Sequence, residues 1–259
     1  MHRPGTVAAA VKLLGAAEDG RALAGGQSLL PAMKLGLNAP TDMIDLSGIP
    51  GLRGITVEAN RVRIGAMTRH AEVAASPEVH AAIPALAAMA DRIGDTAIRN
   101  RGTLGGSLAN NDPAACYPAA ALALGATLHT DRRDIAADDF FLGVYMTALQ
   151  PDELITSVSF PVPLKAAYVK FEQPASHFAL VGVCVAQTSA GVRVAVTGAG
   201  ACVFRVEALE TALALDFSAE ACRAVRIDPE GLNADLHASA AYRAHLIPVI
   251  AARAVAQAG

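Results

Sequence analysis

The chain has 259 residues, 53% of them hydrophobic and 17% charged, which is enough apolar material for a buried core and enough length for two or three packed subdomains. A net charge of −3, with 4% aromatic residues and no Trp, excludes the basic surface and stacking platforms of a nucleic-acid binder. Cys116, Cys184, Cys202 and Cys222 lie far apart without a C-x-x-C pair, which argues against a disulfide framework, a zinc site or an iron–sulfur cluster and points to a reducing compartment.

In chain order, Thr6 is the expected N-cap of a helix running to Glu18, with Val7, Val11 and Leu14 at helical spacing and Gly20 as its stop. Lys12 interrupts the only leader-like run, Val7–Val11. A strand, Arg21–Ala24, leads into Gly25-Gly26-Gln27-Ser28. Ser28 is placed to cap a helix over Leu29–Leu37, with Pro31 in its first turn, where a missing N–H does no harm. A second strand, Met43–Leu46, closes an α/β unit over residues 1–50.

Gly54–Glu58 and Arg61–Gly65 alternate around Ala59-Asn60, a hairpin signature. Helical stretches are expected from Thr68, over Ile83–Ile93 and over Ala114–Leu124, with extended chain at Ala126–Thr130 and a strand at Leu154–Pro161 ending a middle α+β region, residues 51–163. The longest apolar stretch, Pro113–Leu128, carries Tyr117, Pro118 and Gly125 and is too short for a membrane span, so the chain reads as cytoplasmic. Runs at Tyr168–Glu172, Val181–Gln187 and Val192–Thr197 predict a small antiparallel sheet. Helices ending in Ser239–Gln257 complete a third region, residues 164–259.

The chemically suggestive features are two glycine turns, Ala24-Gly25-Gly26-Gln27-Ser28-Leu29 and Thr103-Leu104-Gly105-Gly106-Ser107. Paired glycines permit positive φ and remove Cβ atoms from the path of a ligand, and successive backbone N–H groups can then converge on an anion. Two such loops, each leading into a helix, suit the two phosphates of a dinucleotide. Neither is a G-x-G-x-x-G fingerprint or a P-loop, and Gly198-Ala199-Gly200, which lacks a third glycine, reads as a structural turn.

Ala24–Pro31, with Met33-Lys34, Leu37, Pro40 and Ile44-Asp45-Leu46, resembles the first FAD-binding segment of the molybdenum-hydroxylase flavoproteins. That family includes the FAD subunit of aerobic carbon monoxide dehydrogenase and the middle domain of xanthine dehydrogenase. Ile98–Ala109 followed by Asp112-Pro113-Ala114-Ala115 resembles the second segment. Pro174-Ala175-Ser176, Phe178-Ala179, Val181-Gly182-Val183 and Ala238–Arg243 extend the likeness over almost the whole chain. The resemblance implies an α+β fold of PCMH type, with two FAD-binding subdomains followed by a C-terminal α/β subdomain carrying a small antiparallel sheet. It implies FAD held between the first two subdomains by Ala24–Leu29 and Thr103–Ser107, mainly through backbone amides, with Asp112 and Ser107 contributing. It also implies two partners, a large molybdopterin-binding subunit and a small subunit with two 2Fe–2S clusters, in a dimer of heterotrimers. Electrons would pass through this chain to NAD, a quinone or oxygen.

Several positions leave alternatives open. Ser107 equally suits a helix cap, and Asp112 a turn. Cys116 stands where many relatives carry Asp, and otherwise reads as a small buried thiol on a helix. His177 stands where a charged residue is common, or serves only to cap a turn. Arg99 and Arg101 are expected to share one face of a strand, facing phosphate or a partner subunit. Asp138-Asp139 reads as a helix cap, and Lys34 and Lys170 either as basic groups that polarise the cofactor or, the preferred reading, as solvated surface lysines. No nucleophile–base pair or metal-ligand set is visible, so no catalytic residue or metal is assigned. The alternatives are a self-contained FAD-dependent oxidase or reductase and an FAD-free assembly or scaffold protein.

Overall fold

A computed structural model describes residues 1–258. The first unit begins with α1 (Val7–Ala16), capped by the Thr6 hydroxyl, which accepts from the Ala9 N–H at 3.2 Å. It continues through β1 (Gly20–Leu23), α2 (Leu29–Lys34) and β2 (Asp42–Asp45), with β1 and β2 pairing in parallel. Its small core joins Ala10, Leu14, Ile44, Leu46 and Ile49 with Leu52 and Leu154 from the next region. The α2 helix ends three residues before the expected Leu37, and the Ser28 side chain makes no cap bond. Gly36 at φ +70° turns the chain away there.

The middle region supplies β3 (Ile55–Glu58) and β4 (Arg61–Gly65), then five helices: α3 (His70–Ala75), α4 (Pro77–Ala82), α5 (Pro84–Asp91), α6 (Thr96–Arg99) and α7 (Leu104–Asn110). After α8 (Cys116–Leu124) come β5 (Thr127–Thr130), β6 (Asp134–Ala136), a small hairpin of β7 (Phe141–Gly143) and β8 (Met146–Thr147), and β9 (Ile155–Pro161). The main sheet has the order β3-β4-β9-β5-β6, with β9 antiparallel to both β4 and β5. Every residue of α8 is buried. Its alanines let the surrounding strands approach closely, and Gly125, in the left-handed region at φ +64°, ends it.

The third region is the antiparallel sheet β10 (Lys165–Glu172), β11 (Ala179–Thr188), β12 (Gly191–Thr197) and β13 (Phe204–Arg205), in sequence order. The helices α9 (Glu207–Leu215), α10 (Ala219–Ala224) and α11 (Ala240–Gln257) accompany it. Val181, Val183, Val185, Val194 and Val196 pack against Ile247, Ile250 and Ala251 of α11 on one side of the sheet, while Cys184 and Ala195 join the middle core on the other. That alternation is the period-two pattern read in the sequence. No helix of the described residues is long and apolar enough to cross a membrane.

Three local expectations are corrected. Arg99 belongs to a helical turn rather than a strand; its guanidinium donates to the Ile93 and Gly94 carbonyls, so it does not share a face with the exposed Arg101. Asp138 caps no α-helix. It lies in a 3-10 turn and accepts from Arg193 at 2.6 Å and Arg205 at 3.3 Å, tying the middle region to the third sheet. Lys170 is buried, its side chain 1% exposed.

Candidate functional site

Gly25 brings the two glycine loops together. A Cβ on Gly25 would overlap the carbonyl oxygen of Arg101 and stand 2.8 Å from the Gly102 Cα, while one on Gly106 would lie 3.5 Å from the Ala24 Cβ. The first loop therefore touches the chain entering the second, backbone against backbone, and only glycine permits that approach. Gly26, at φ +75°, turns the first loop through the left-handed region.

The loops divide the work unevenly. Among the described residues, the backbone N–H groups of Gly25 through Leu29 have no acceptor. The second loop has spent its amides: Leu104 donates to the Thr68 carbonyl, Gly105 to the Ala66 carbonyl at 2.8 Å, and Gly106 to the Thr103 hydroxyl. Thr103, not Ser107, caps α7, which leaves the Ser107 hydroxyl free at the cleft. Gly105 sits so close to Ala66 that a Cβ would come within 2.6 Å of the Ala66 methyl. The first loop is thus the donor face and the second the wall behind it. Paired glycines in sequence do not distinguish these two roles.

Both loops line one cleft of about 670 Å³, within the roughly 300–1,000 Å³ of small-molecule and cofactor sites. Ala24, Gly25, Gly26, Gln27, Ser28, Leu29, Thr103, Gly105, Gly106, Ser107 and Asp112 all line it; Leu104 is buried behind it in the core. Asp112 does make a turn, one oxygen accepting from the Ala114 N–H at 2.8 Å, and still reaches the cleft.

Sequence reasoning missed His70, Glu153 and Asn111 in this site, and the burial of Lys170. His70 lines the cleft at 5% exposure, its Nδ1 without a partner among the described residues and its ring 5.3 Å from that of Tyr117. Burial first, then the Arg99 charge, lowers its pKa to about 4, so it is neutral near pH 7. Glu153 also faces the cleft and accepts from Arg133, Gln150 and Thr130; mainly the Arg133 bonds hold it down to about 2.

Asn111, fully buried at φ +43°, donates to the Gly143 and Met146 carbonyls at 2.9 and 2.8 Å and staples the β7–β8 hairpin to the end of α7. Tyr145 of that hairpin then lines the cleft. Lys170 also lines the cleft. Its Nζ donates to the Arg92 carbonyl at 2.8 Å and the His177 carbonyl at 2.6 Å, with Glu172 at 3.4 Å. His177, at φ +59°, also donates its backbone N–H to the Gln173 carbonyl.

Cys116 is a buried thiol on the first turn of α8 and lines the cleft. Desolvation pushes its pKa up, so it is a neutral thiol. All four cysteines are free, and no metal-ligand cluster occurs among the described residues.

A donor-rich glycine loop and a second loop packed behind it, both lining one large cleft, are the arrangement of a dinucleotide-binding protein. The chain belongs to the family described as the FAD binding domain in molybdopterin dehydrogenase, whose model matches residues 1–163. It is therefore an FAD-binding oxidoreductase subunit of the molybdenum hydroxylases. It is 38% identical to the nicotine 6-hydroxylase medium subunit of Paenarthrobacter nicotinovorans, over 99% of this chain and 95% of that one. It is 39% identical to the carbon monoxide dehydrogenase medium chain of Hydrogenophaga pseudoflava, over 80% and 76%. Among solved structures, carbon monoxide dehydrogenase from Hydrogenophaga pseudoflava superposes with a TM-score of 0.89 at 36% identity, covering 98% of this chain and 95% of that one. Quinoline 2-oxidoreductase from Pseudomonas putida 86 gives 0.89 at 28% identity, over 99% and 95%.

The residues present fit FAD. The unpartnered N–H groups of Gly25–Leu29 suit an anionic diphosphate, and the orphan His70 Nδ1 offers a further polar contact in the cleft wall.

Proposed function

We propose that this chain passes electrons between partner subunits and an external oxidant, and does not activate the organic substrate itself. In this reading it assembles with a large molybdopterin-binding subunit and a small subunit carrying two 2Fe–2S clusters, as a dimer of heterotrimers in the cytoplasm. Electrons arrive from the clusters and leave to NAD, a quinone or oxygen. The observation that carries the reading is the cleft built where the two glycine loops meet, with unpartnered amides on one side.

Bound FAD supplies the exchange of one or two electrons, and the chain supplies binding, orientation and electrostatics. Gly25, Gly26, Gln27, Ser28 and Leu29 hold the diphosphate through main-chain N–H groups, with Ala24 opening the turn. Thr103, Leu104, Gly105 and Gly106 fix the rear wall, and Ser107 and Asp112 offer polar side chains along it. His70, neutral, donates or accepts one hydrogen bond without adding charge. The three subdomains, 1–50, 51–163 and 164–259, meet around this cleft.

The test is an absorbance spectrum of the purified chain before and after adding FAD, followed by identification of the released cofactor and reconstitution with the partner subunits. Stoichiometric, non-covalent FAD that is reduced only when the partners and their substrate are present supports the reading. Substrate-dependent reduction by the isolated chain would replace it with a self-contained flavoenzyme, and a chain that refuses FAD would remove it.

A further inference from the structure

Resting on the FAD reading of the cleft, we propose that Lys170, the uncapped first turn of α8 and an uncharged residue at Cys116 make one end of the cleft electropositive, and that this end receives the isoalloxazine and raises its midpoint potential.

The charges around that end are few. Lys170 is the buried cation, and the side chains near it are Arg92, half-exposed, the Glu172 carboxylate at 3.4 Å, and His177, whose Nδ1 lies 4.0 Å from Glu172. Lys170 and Arg92 are thus two cations against the one carboxylate of Glu172. The other carboxylates lining the cleft are Glu153, paired with Arg133, and Asp112, which accepts from the Ala114 N–H just ahead of α8 and lies beside the Tyr145 phenol. Cys116 opens α8, a fully buried helix of nine residues whose N-cap, Ala115, has no side chain to accept its first N–H groups. Their partial positive charge adds to that of Lys170.

A structural strut alone does not explain the ammonium. Burying a charge costs several kcal/mol, and a neutral amide can also donate to the Arg92 and His177 carbonyls. The charge gains a purpose if something in the cleft becomes negative. Uptake of two electrons and one proton by the isoalloxazine adds one negative charge to the ring, and a nearby cation stabilises that form. Adenosine gains no charge in the reaction, which is why this end suits the flavin ring.

Cys116 allows a test that leaves the Lys170 bonds in place. Three variants, Cys116→Asp, Cys116→Ser and Lys170→Gln, are purified as the full chain, loaded with FAD and titrated anaerobically with dithionite against a reference dye. Midpoint potentials below wild type in C116D and K170Q, with C116S close to wild type, are the expected result. Unchanged potentials in both charge variants would overturn the proposal, as would an equal drop in C116S. Loss of FAD from C116D and K170Q with retention in C116S would overturn it too, because the charge would then serve binding. A wild-type chain that binds no FAD would fail the cofactor reading instead.

Discussion

Replacing Gly25 with Ala tests whether the two loops form one cradle. The added methyl overlaps the Arg101 carbonyl oxygen and meets the Gly102 Cα at 2.8 Å, and both obstacles are backbone, so neither can rotate away. Relief requires the first loop to lift from the second, which moves the five free amides out of register with the diphosphate. Overpacking of this kind costs about 1–3 kcal/mol. If that cost falls on the bound state, FAD affinity drops roughly 5- to 150-fold, at ~1.4 kcal/mol per tenfold. The assay is fluorescence titration of the apo chain with FAD, alongside its thermal midpoint. Gly36→Ala is the control, because Gly36 has a positive φ of +70°, open space around it and no place in the cleft. It is expected to lower stability without weakening FAD. A Gly25→Ala chain that binds FAD as tightly as wild type would refute the joined-loop account.

His70 makes stability depend on pH. Its folded pKa of about 4 lies below the ordinary histidine value of 6.5, so the unfolded chain binds the proton more readily. The stability contribution is intact above about pH 6.5 and is lost as pH falls towards 4, by about 3 kcal/mol at most. Urea melts across that range should be flatter for His70→Gln. Asn111→Gly keeps the left-handed backbone but loses both bonds to the hairpin; a loss of about 1–3 kcal/mol and faster proteolytic cleavage within residues 141–147 are expected. Glu153→Gln removes the carboxylate that Arg133 holds near a pKa of 2. It should lower the chemical-denaturation midpoint at pH 7, with the difference from wild type shrinking as pH approaches 2.

Features that depend on short stretches of chain were legible in the sequence: the Thr6 cap, the β3–β4 hairpin, the glycine turns and the alternating valines of β11 and β12. The features that escaped depend on residues brought together from far along the chain. Lys170 resembles any strand lysine until the Arg92 and His177 carbonyls are seen to close around its Nζ. Asp138 pairs with Arg193 across 55 residues, beyond any local pattern. The helix at α6 hid because four residues give too little periodicity, and Arg99 was misread as strand for that reason. Ser107 and Ser28 show the opposite error: small hydroxyl residues near helix starts look like caps, yet Thr103 holds that role at one helix and no side chain does at the other.

The order of strands in the middle sheet has a consequence for biosynthesis. β9 lies between β4 and β5, yet it is the last of the five strands to leave the ribosome. Until residue 161 has emerged, the β3–β4 and β5–β6 hairpins have no strand between them, and Val158 and Phe160, fully buried in the finished core, are still absent. Leu154, just ahead of β9, also completes the first core. The nascent chain therefore carries both glycine turns long before the strand that completes the middle sheet.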